Sequence, residues 1–285
     1  MSLVQNYLSL VKFSHTIFAL PFALIGFFLA TQYFGYVFHW HLLVYVMLCM
    51  VFARSAAMAF NRYADRRIDA ENPRTVSREI PAGTISPPAA LRFVLLNCLL
   101  FIGTTYLINP LCFMLSPVAL AIVLGYSYTK RFTALCHFVL GLGLSLAPIG
   151  AFIAVSQTFR WLPVMYSIVV LLWVSGFDII YALQDEEFDQ SKQLRSIPSR
   201  LGRRNALLLS SVLHFVCAAI LVAAGIVAQF GLFYWIGCLV FTGLLFYQHT
   251  LVSPNDLSRV NIAFFTTNGV ASVIFALFVL LELFL

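Results

Sequence analysis

Nine stretches of about 20 apolar residues follow one another along this 285-residue chain, at roughly 13–36, 42–64, 89–108, 110–128, 135–156, 162–183, 204–229, 231–251 and 260–285. Each is long enough to cross the hydrocarbon core of a bilayer. Lipid offers no hydrogen bonds to exposed backbone groups, so such segments must be helices rather than open strands. Composition agrees, with 61% hydrophobic and 10% charged residues where a soluble domain carries roughly 25% charged. The expected fold is an all-α integral membrane protein forming a single polytopic domain over residues 1–285. Asn109-Pro110 and Gly231 are the only punctuation between spans three and four and between spans seven and eight.

The distribution of positive charge sets the orientation. Of 17 Lys and Arg residues, 15 lie in or beside the N-terminus and the connections after the second, fourth, sixth and eighth spans: Lys12; Arg62, Arg66, Arg67, Arg74, Arg78 and Arg92; Lys130 and Arg131; Lys192, Arg195, Arg200, Arg203 and Arg204; Arg259. Arg54 lies inside the second span and Arg160 on the other side. By the positive-inside rule the N-terminus and the even connections face the cytoplasm. The net charge of +6 is then topology, with contacts to the lipid bilayer, and requires no nucleic acid. The first apolar segment is too long for a signal-peptide core and is expected to be a retained span. Six cysteines (Cys49, Cys98, Cys112, Cys136, Cys217, Cys238) are scattered without CxxC spacing and read as buried small hydrophobes. The six histidines are equally dispersed and read as packing or interfacial residues.

Against this apolar background two acidic motifs stand out. Asn61-x3-Asp65-x3-Asp69 closes the second span, and Asp178-x2-Tyr181-x3-Asp185-x3-Asp189 closes the sixth. Side chains four apart share one helix face, so Asn61, Asp65 and Asp69 converge, as do Asp185 and Asp189. Carboxylates beside hydrocarbon are costly unless they face cations or an aqueous cavity. The loops that follow also echo one another, with Arg78-Glu79-Ile80-Pro81 after the first pair and Arg195-Ser196-Ile197-Pro198 after the second. Two half-sites facing one cytoplasmic cavity are therefore expected. Mg2+ is usually held by one or two carboxylates together with substrate phosphates, so paired Asp residues fit a diphosphate bridged by Mg2+. Arg74, Arg78, Lys192 and Arg195 are the candidate diphosphate-binding cations. A diphosphate held at the membrane surface with its tail in lipid describes a polyprenyl diphosphate. Loss of that leaving group creates an allylic cation, which the rings of Tyr126, Tyr128 or Tyr181 could face.

These motifs resemble those of the UbiA superfamily of intramembrane prenyltransferases. The resemblance rests on the stretches Asn61–Asp69 and Asp178–Asp185 in their places after a second and a sixth helix, and covers essentially the whole chain. It implies nine helices around a central cavity, two Asp-rich motifs binding Mg2+ and prenyl diphosphate, and transfer of the prenyl chain to an aromatic ring. Phe13-Ser14-His15-Thr16-Ile17-Phe18-Ala19-Leu20-Pro21-Phe22-Ala23-Leu24, Asn72-Pro73-Arg74-Thr75 and Tyr126-Ser127-Tyr128-Thr129-Lys130-Arg131 look like the branch that prenylates 4-hydroxybenzoate or a hydroxynaphthoate in ubiquinone or menaquinone synthesis. By that resemblance Arg131 is the candidate for the acceptor's carboxylate, alongside a plain role as a positive-inside anchor. The enzyme is then expected in a bacterial inner membrane, with its site toward the cytoplasm.

Asp65, Asp69, Asp185 and Asp189 are the catalytic and metal-ligating candidates, with Asn61 a further metal ligand. The acceptor, an aromatic carboxylic acid, is assigned to Arg131, Arg54, Asn61, Tyr126, Tyr181 and Asp178. Arg54 and Asp178 each precede their motif by seven residues, two helical turns, on the same face. Glu186 and Glu187 fall off that face and are expected in solvent. Asn268, deep in the ninth span, is expected either to border the cavity or to bond between helices. Two other readings remain open at this stage: a porphyrin-type acceptor, as in the haem O or chlorophyll synthase branches, and a secondary transporter, which would place its acids nearer the midplane.

Overall fold

The computed structural model describes residues 3–11 and 18–285, with the side chains of residues 3 and 4 excepted. Among them the chain is helical, and its one β contact is an isolated bridge between Ser253 and Asp256. Among the described residues eight helices are long and apolar enough to cross a membrane. A shorter apolar helix, Leu20–Tyr33, stands where the first span was expected; the start of that span, with Lys12 and residues 13–17 of the Phe13–Leu24 stretch, lies outside the described residues. The two thinly marked boundaries are real breaks. Helix α5 (Pro87–Ile108) ends at extended Asn109 and α6 (Pro110–Thr129) starts on the proline, where the missing N–H costs nothing. Extended Gly231 precedes α11 (Leu232–Thr250).

Packing gathers into two compact units. The first, residues 41–128 with the N-terminal segment, holds α1 (Leu3–Leu10), α3 (Trp40–Ala64), the six-residue α4 (Arg66–Glu71), α5 and α6. Its core forms at one end, where Leu10, Ala59, Ile80, Ile85, Ala90 and Val94 pack together with Tyr7 and Phe93. That cluster fixes the loop after α4 against the end of α3. Along the membrane-crossing lengths large apolar side chains such as Leu99, Tyr106 and Met114 remain exposed, as lipid-facing surface should.

The second unit, residues 17–40 and 129–285, holds α2 (Leu20–Phe28, continued by a π-helical turn at Leu29–Tyr33), α7 (Cys136–Ser156), α8 (Trp161–Ala182), α9 (Glu186–Ser191), α10 (Ile197–Ala228), α11, a second π-helical turn at Ile262–Thr266, and α12 (Thr267–Phe284). Helix α8 is sandwiched between α7 and α10, α11 lies on α12, and α2 packs on α7 and α12. Contact between α2 and α7 is intimate: a Cβ on Gly26 would stand 2.0 Å from the Pro148 carbonyl oxygen, so only glycine fits. Trp173 sits fully buried among Phe22, Phe177 and Phe241, with ring centroids 5.2–5.6 Å away and edge-to-face or tilted geometry that aromatic quadrupoles favour. Phenylalanines divide between this core and the outer surface, where Phe215 and Phe246 are exposed.

Candidate active site

In the first unit the expected face forms at the end of α3, but not on one continuous helix. Asp65 breaks the helix with φ −89° and ψ 4° and serves as N-cap of α4, in the sparsely used bridge region. The i to i+4 backbone bonds continue through the break, Asp65 N–H to Asn61 O at 2.9 Å and Asp69 N–H to Asp65 O at 2.8 Å, so the three side chains keep their common side. Asn61 Nδ2 donates to Asp65 Oδ2 at 3.3 Å. Both carboxyls are buried, and the Arg78 guanidinium donates to Asp69 Oδ1 at 2.7 Å.

The turn that brings Arg78 back is built by its own polar residues. Arg74 N–H bonds Asn72 Oδ1, Thr75 N–H bonds the Asn72 carbonyl, and the Thr75 hydroxyl donates to the Asp69 carbonyl at 3.0 Å. Ser9 on α1 donates to Glu79, tying the same loop to the N-terminal helix. Asp69 Oδ2 is buried with no hydrogen-bond partner among the described residues. A buried carboxylate oxygen left unpaired is expensive, and it is the hard donor that Mg2+ accepts. Among the described residues no three His, Cys, Asp or Glu gather into a cage.

The second unit repeats this local design. Asp185 breaks the chain with φ −101° and ψ 3° and caps α9, a helix of six residues like α4. Asp69 and Asp189 each occupy the fourth position of these short helices, and both are buried. Leu194 N–H returns to the Asp189 carbonyl at 2.8 Å, closing the turn that carries Lys192. Ser196 and Ser199 then form a reciprocal capping box at the start of α10.

The echoing arginines do different work. Arg78 pairs with a carboxylate, whereas Arg195 donates from Nη1 to the Phe132 carbonyl at 2.6 Å and from its backbone N–H to the Lys130 carbonyl at 2.6 Å. Ile80 and Ile197, which follow in the two loops, are both buried. Arg131 and Arg195 line one open hollow of about 460 Å³ with Gln190, Gln193, Leu194, Ser199 and Arg200.

Of the acceptor candidates, Arg54, Asn61 and Tyr126 belong to the first unit, and Arg131, Asp178 and Tyr181 to the second. Tyr181 stacks on Phe264, centroids 4.1 Å apart. Asp178 has a partner that sequence spacing could not reveal: His137 Nδ1 lies 2.7 Å from Asp178 Oδ2. His137 Nε2 accepts from the Ile197 N–H at 3.2 Å, so the proton sits on Nδ1 and is donated to Asp178. His137 is thus a buried histidine whose two ring nitrogens tie α8 to the start of α10. Glu186 departs from expectation, being only 12% exposed and paired with Arg203 at 2.6 Å, whereas Glu187 stands in solvent as expected, 88% exposed, and meets the same arginine at 3.1 Å. Asn268 is fully buried and bonds between helices.

Comparison with known proteins agrees with the site. The sequence pattern of the UbiA prenyltransferase family matches residues 19–270. The chain is 32% identical over 238 residues to the 4-hydroxybenzoate octaprenyltransferase of Aliivibrio fischeri (strain MJ11), covering 83% of this chain and 82% of that protein. It is 33% identical over 237 residues to the enzyme of that name from Nitrosomonas europaea, 82% of this chain and 80% of that protein. Among solved structures, the apo form of a UbiA homologue from Aeropyrum pernix K1 superposes with a TM-score of 0.85 at 31% identity, over 94% of this chain and 98% of that one. A UbiA homologue from Archaeoglobus fulgidus, solved bound to GPP and Mg2+, shares the fold with a TM-score of 0.75 at 19% identity, over 98% of this chain and 100% of that one.

An all-helical membrane protein with paired aspartates where two of its spans end, and relatives of this kind, is a membrane-embedded prenyltransferase. The chain belongs to the UbiA prenyltransferase family, in the 4-hydroxybenzoate prenyltransferase branch. That membership removes the transporter alternative.

Proposed function

We propose that this enzyme, acting as one polytopic domain over residues 1–285, transfers a polyprenyl group from polyprenyl diphosphate to the ring of an aromatic carboxylic acid, 4-hydroxybenzoate or a dihydroxynaphthoate, in ubiquinone or menaquinone synthesis. The observation that carries the reading is the buried Asp69 carboxylate, one oxygen held by Arg78 and the other without a partner among the described residues. The second pair, capped by the same backbone turn at Asp185, supports it. Relatives point the same way, by name for the acceptor and, in the Archaeoglobus fulgidus structure, by the GPP and Mg2+ bound there.

Asp65, Asp69, Asp185 and Asp189, with Asn61, are the residues that would hold Mg2+. Bound there, the ion would supply positive charge to the diphosphate as it leaves. Arg74, Arg78, Lys192 and Arg195 bind the diphosphate oxygens. The allylic carbon–oxygen bond breaks with its electron pair going to diphosphate, a ring π pair forms the new carbon–carbon bond, and the ring proton passes to the released diphosphate. The Tyr181 face stabilises the cation between those events. Arg54, Asn61, Arg131, Tyr126 and Asp178 hold the acid, with Asp178 fixed by the His137 N–H. The site opens to the cytoplasm from a bacterial inner membrane.

Purified protein supplied with Mg2+, a polyprenyl diphosphate and a panel of aromatic acids tests this directly. Mass spectrometry should find a C-prenylated 4-hydroxybenzoate or dihydroxynaphthoate. No prenylated product from any aromatic acid, or transfer only to a porphyrin-type acceptor, would overturn the assignment.

A further inference from the structure

Four helices of the second unit meet in a polar network that none of the roles above uses. Trp173 on α8, His214 on α10, Gln248 on α11 and Asn268 on α12 are all buried. Because an indole N–H can only donate, Trp173 Nε1 at 2.7 Å fixes the Asn268 oxygen toward it. The amide nitrogen of Asn268 must then face the other way. Its two hydrogens serve three acceptors, Gln248 Oε1 at 2.9 Å and, sharing, the Ala263 carbonyl at 2.8 Å and the Phe264 carbonyl at 2.9 Å. Gln248 is oriented in turn, its Nε2 donating to His214 Nδ1 at 3.1 Å, which leaves the His214 proton on Nε2 and aimed at the Trp173 carbonyl at 3.1 Å. The indole thus sets both amides, while the Trp173 carbonyl, which can only accept, holds the His214 proton on Nε2 and leaves Nδ1 facing Gln248 and His249 Nε2, the latter at 2.8 Å.

What Asn268 grips is the π-helical turn Ile262–Thr266. A π turn is a strained, rarely used geometry whose carbonyls need partners outside the regular ladder, and such turns recur at functional sites. Here Thr267 Oγ1 bonds the Ile262 carbonyl at 3.1 Å, and Asn268 bonds those of Ala263 and Phe264. Three successive carbonyls of the turn are thus tied by the two side chains that follow it. The turn carries Phe264, which lies nearly parallel to Tyr181 at 4.1 Å and also packs edge-on against Phe177 and Phe18 at 5.4 and 5.7 Å.

We propose that Asn268 is a positioning residue: by pinning the π turn it sets the Phe264 ring, and through it the Tyr181 ring that faces the allylic cation of the prenyl donor. The inference rests on the prenyl-transfer reading above. A role confined to joining helices would need the Trp173 and Gln248 bonds only; the bonds to Ala263 and Phe264 act on the turn itself. Tyr181 stands one helical turn before Asp185, so a tilt of its ring moves the cation-facing surface relative to the carboxylate that anchors the diphosphate.

The test uses the full-length enzyme in detergent or nanodisc and three variants, Asn268→Leu, Phe264→Leu and their combination. Phe264→Leu leaves every hydrogen bond of the network in place and removes only the stacked ring. Each single variant is expected to lower kcat about tenfold or more, as misplacement near a reacting centre does. KM for both substrates should stay within about twofold of wild type. The share of prenyl diphosphate lost to water as prenyl alcohol should rise, because the cation is less well faced. The double variant should be no worse than Asn268→Leu alone, since both act through one ring. Wild-type kcat and product partition in a folded Asn268→Leu protein, or additive losses in the double variant, would overturn the inference. Should Asn268→Leu fail to fold, Phe264→Leu decides by itself, a wild-type partition again counting against. Failure of the prenyl-transfer reading looks different, because the wild-type enzyme would then prenylate no aromatic acid.

Discussion

At the residue scale the paired aspartates are the most legible part of the molecule, because spacing of four on a helix is a local property. Asp65→Asn and Asp185→Asn should each reduce transfer by about 100-fold or more, the scale of losing a principal electrostatic stabiliser, and EDTA should abolish it; steady-state turnover with excess Mg2+ checks both. Full activity in either variant would remove the metal role. His137 was hidden because 41 residues separate it from Asp178, and nothing local marks it. His137→Ala should lower kcat about tenfold, the lower range for removing the partner that orients a site group, and restoration by His137→Gln, which retains an N–H donor, would separate orientation from bulk. Arg131 and Arg195 share a hollow. If they serve different substrates, Arg131→Ala raises KM for the aromatic acid far more than for the donor while Arg195→Ala does the reverse; the same rise from both would assign the hollow to one ligand.

At the scale of elements, the sequence implied that each acidic motif continues its helix. The structure instead stops α3 just before Asp65, and ends α8 at Ala182 with a 3-10 turn, Leu183–Asp185, leading to Asp185; the two aspartates have nearly the same backbone angles, and each is followed by a helix of six residues. Apolar periodicity does not register such a break, because the i to i+4 bonding continues around Asp65 and hydropathy is indifferent to it. The π turn at Ile262–Thr266 was equally unreadable, since the Asn268 side chain that grips it is itself oriented by Trp173 on α8 and Gln248 on α11. Close helix contact makes a further prediction. A Cβ at Gly176 would stand 2.3 Å from His214 Nε2, and the ring cannot retreat without giving up its bond to Trp173 O. Gly176→Ala should therefore destabilise the second unit by about 1–3 kcal/mol, the usual cost of overpacking, seen as a lowered unfolding midpoint in detergent. An unchanged midpoint would mean that the α8–α10 contact is looser than these distances imply.

For the whole molecule, the sidedness of the Lys and Arg residues predicts where each loop can be reached. Cysteines placed at Ser77 and Ser191 should react with an impermeant maleimide only in inside-out vesicles, and bound diphosphate should slow both. One at Arg160 should label from the other side regardless of ligand. The six native cysteines are half-buried or buried and should contribute little background. Residues 77 and 191 on opposite sides would break the prenyl-transfer reading. The all-helical membrane fold was determined by the sequence alone, because a run of about 20 apolar residues has one way to satisfy its backbone in lipid. So were the two aspartate pairs, which need only the helical repeat. Tertiary structure alone decided which groups those carboxylates meet: Arg78 on Asp69, His137 on Asp178, and the indole that orients Asn268 and so the turn beneath Tyr181. Each of those partners is distant in the chain or lies past a loop, and only packing brings a donor within reach of its acceptor.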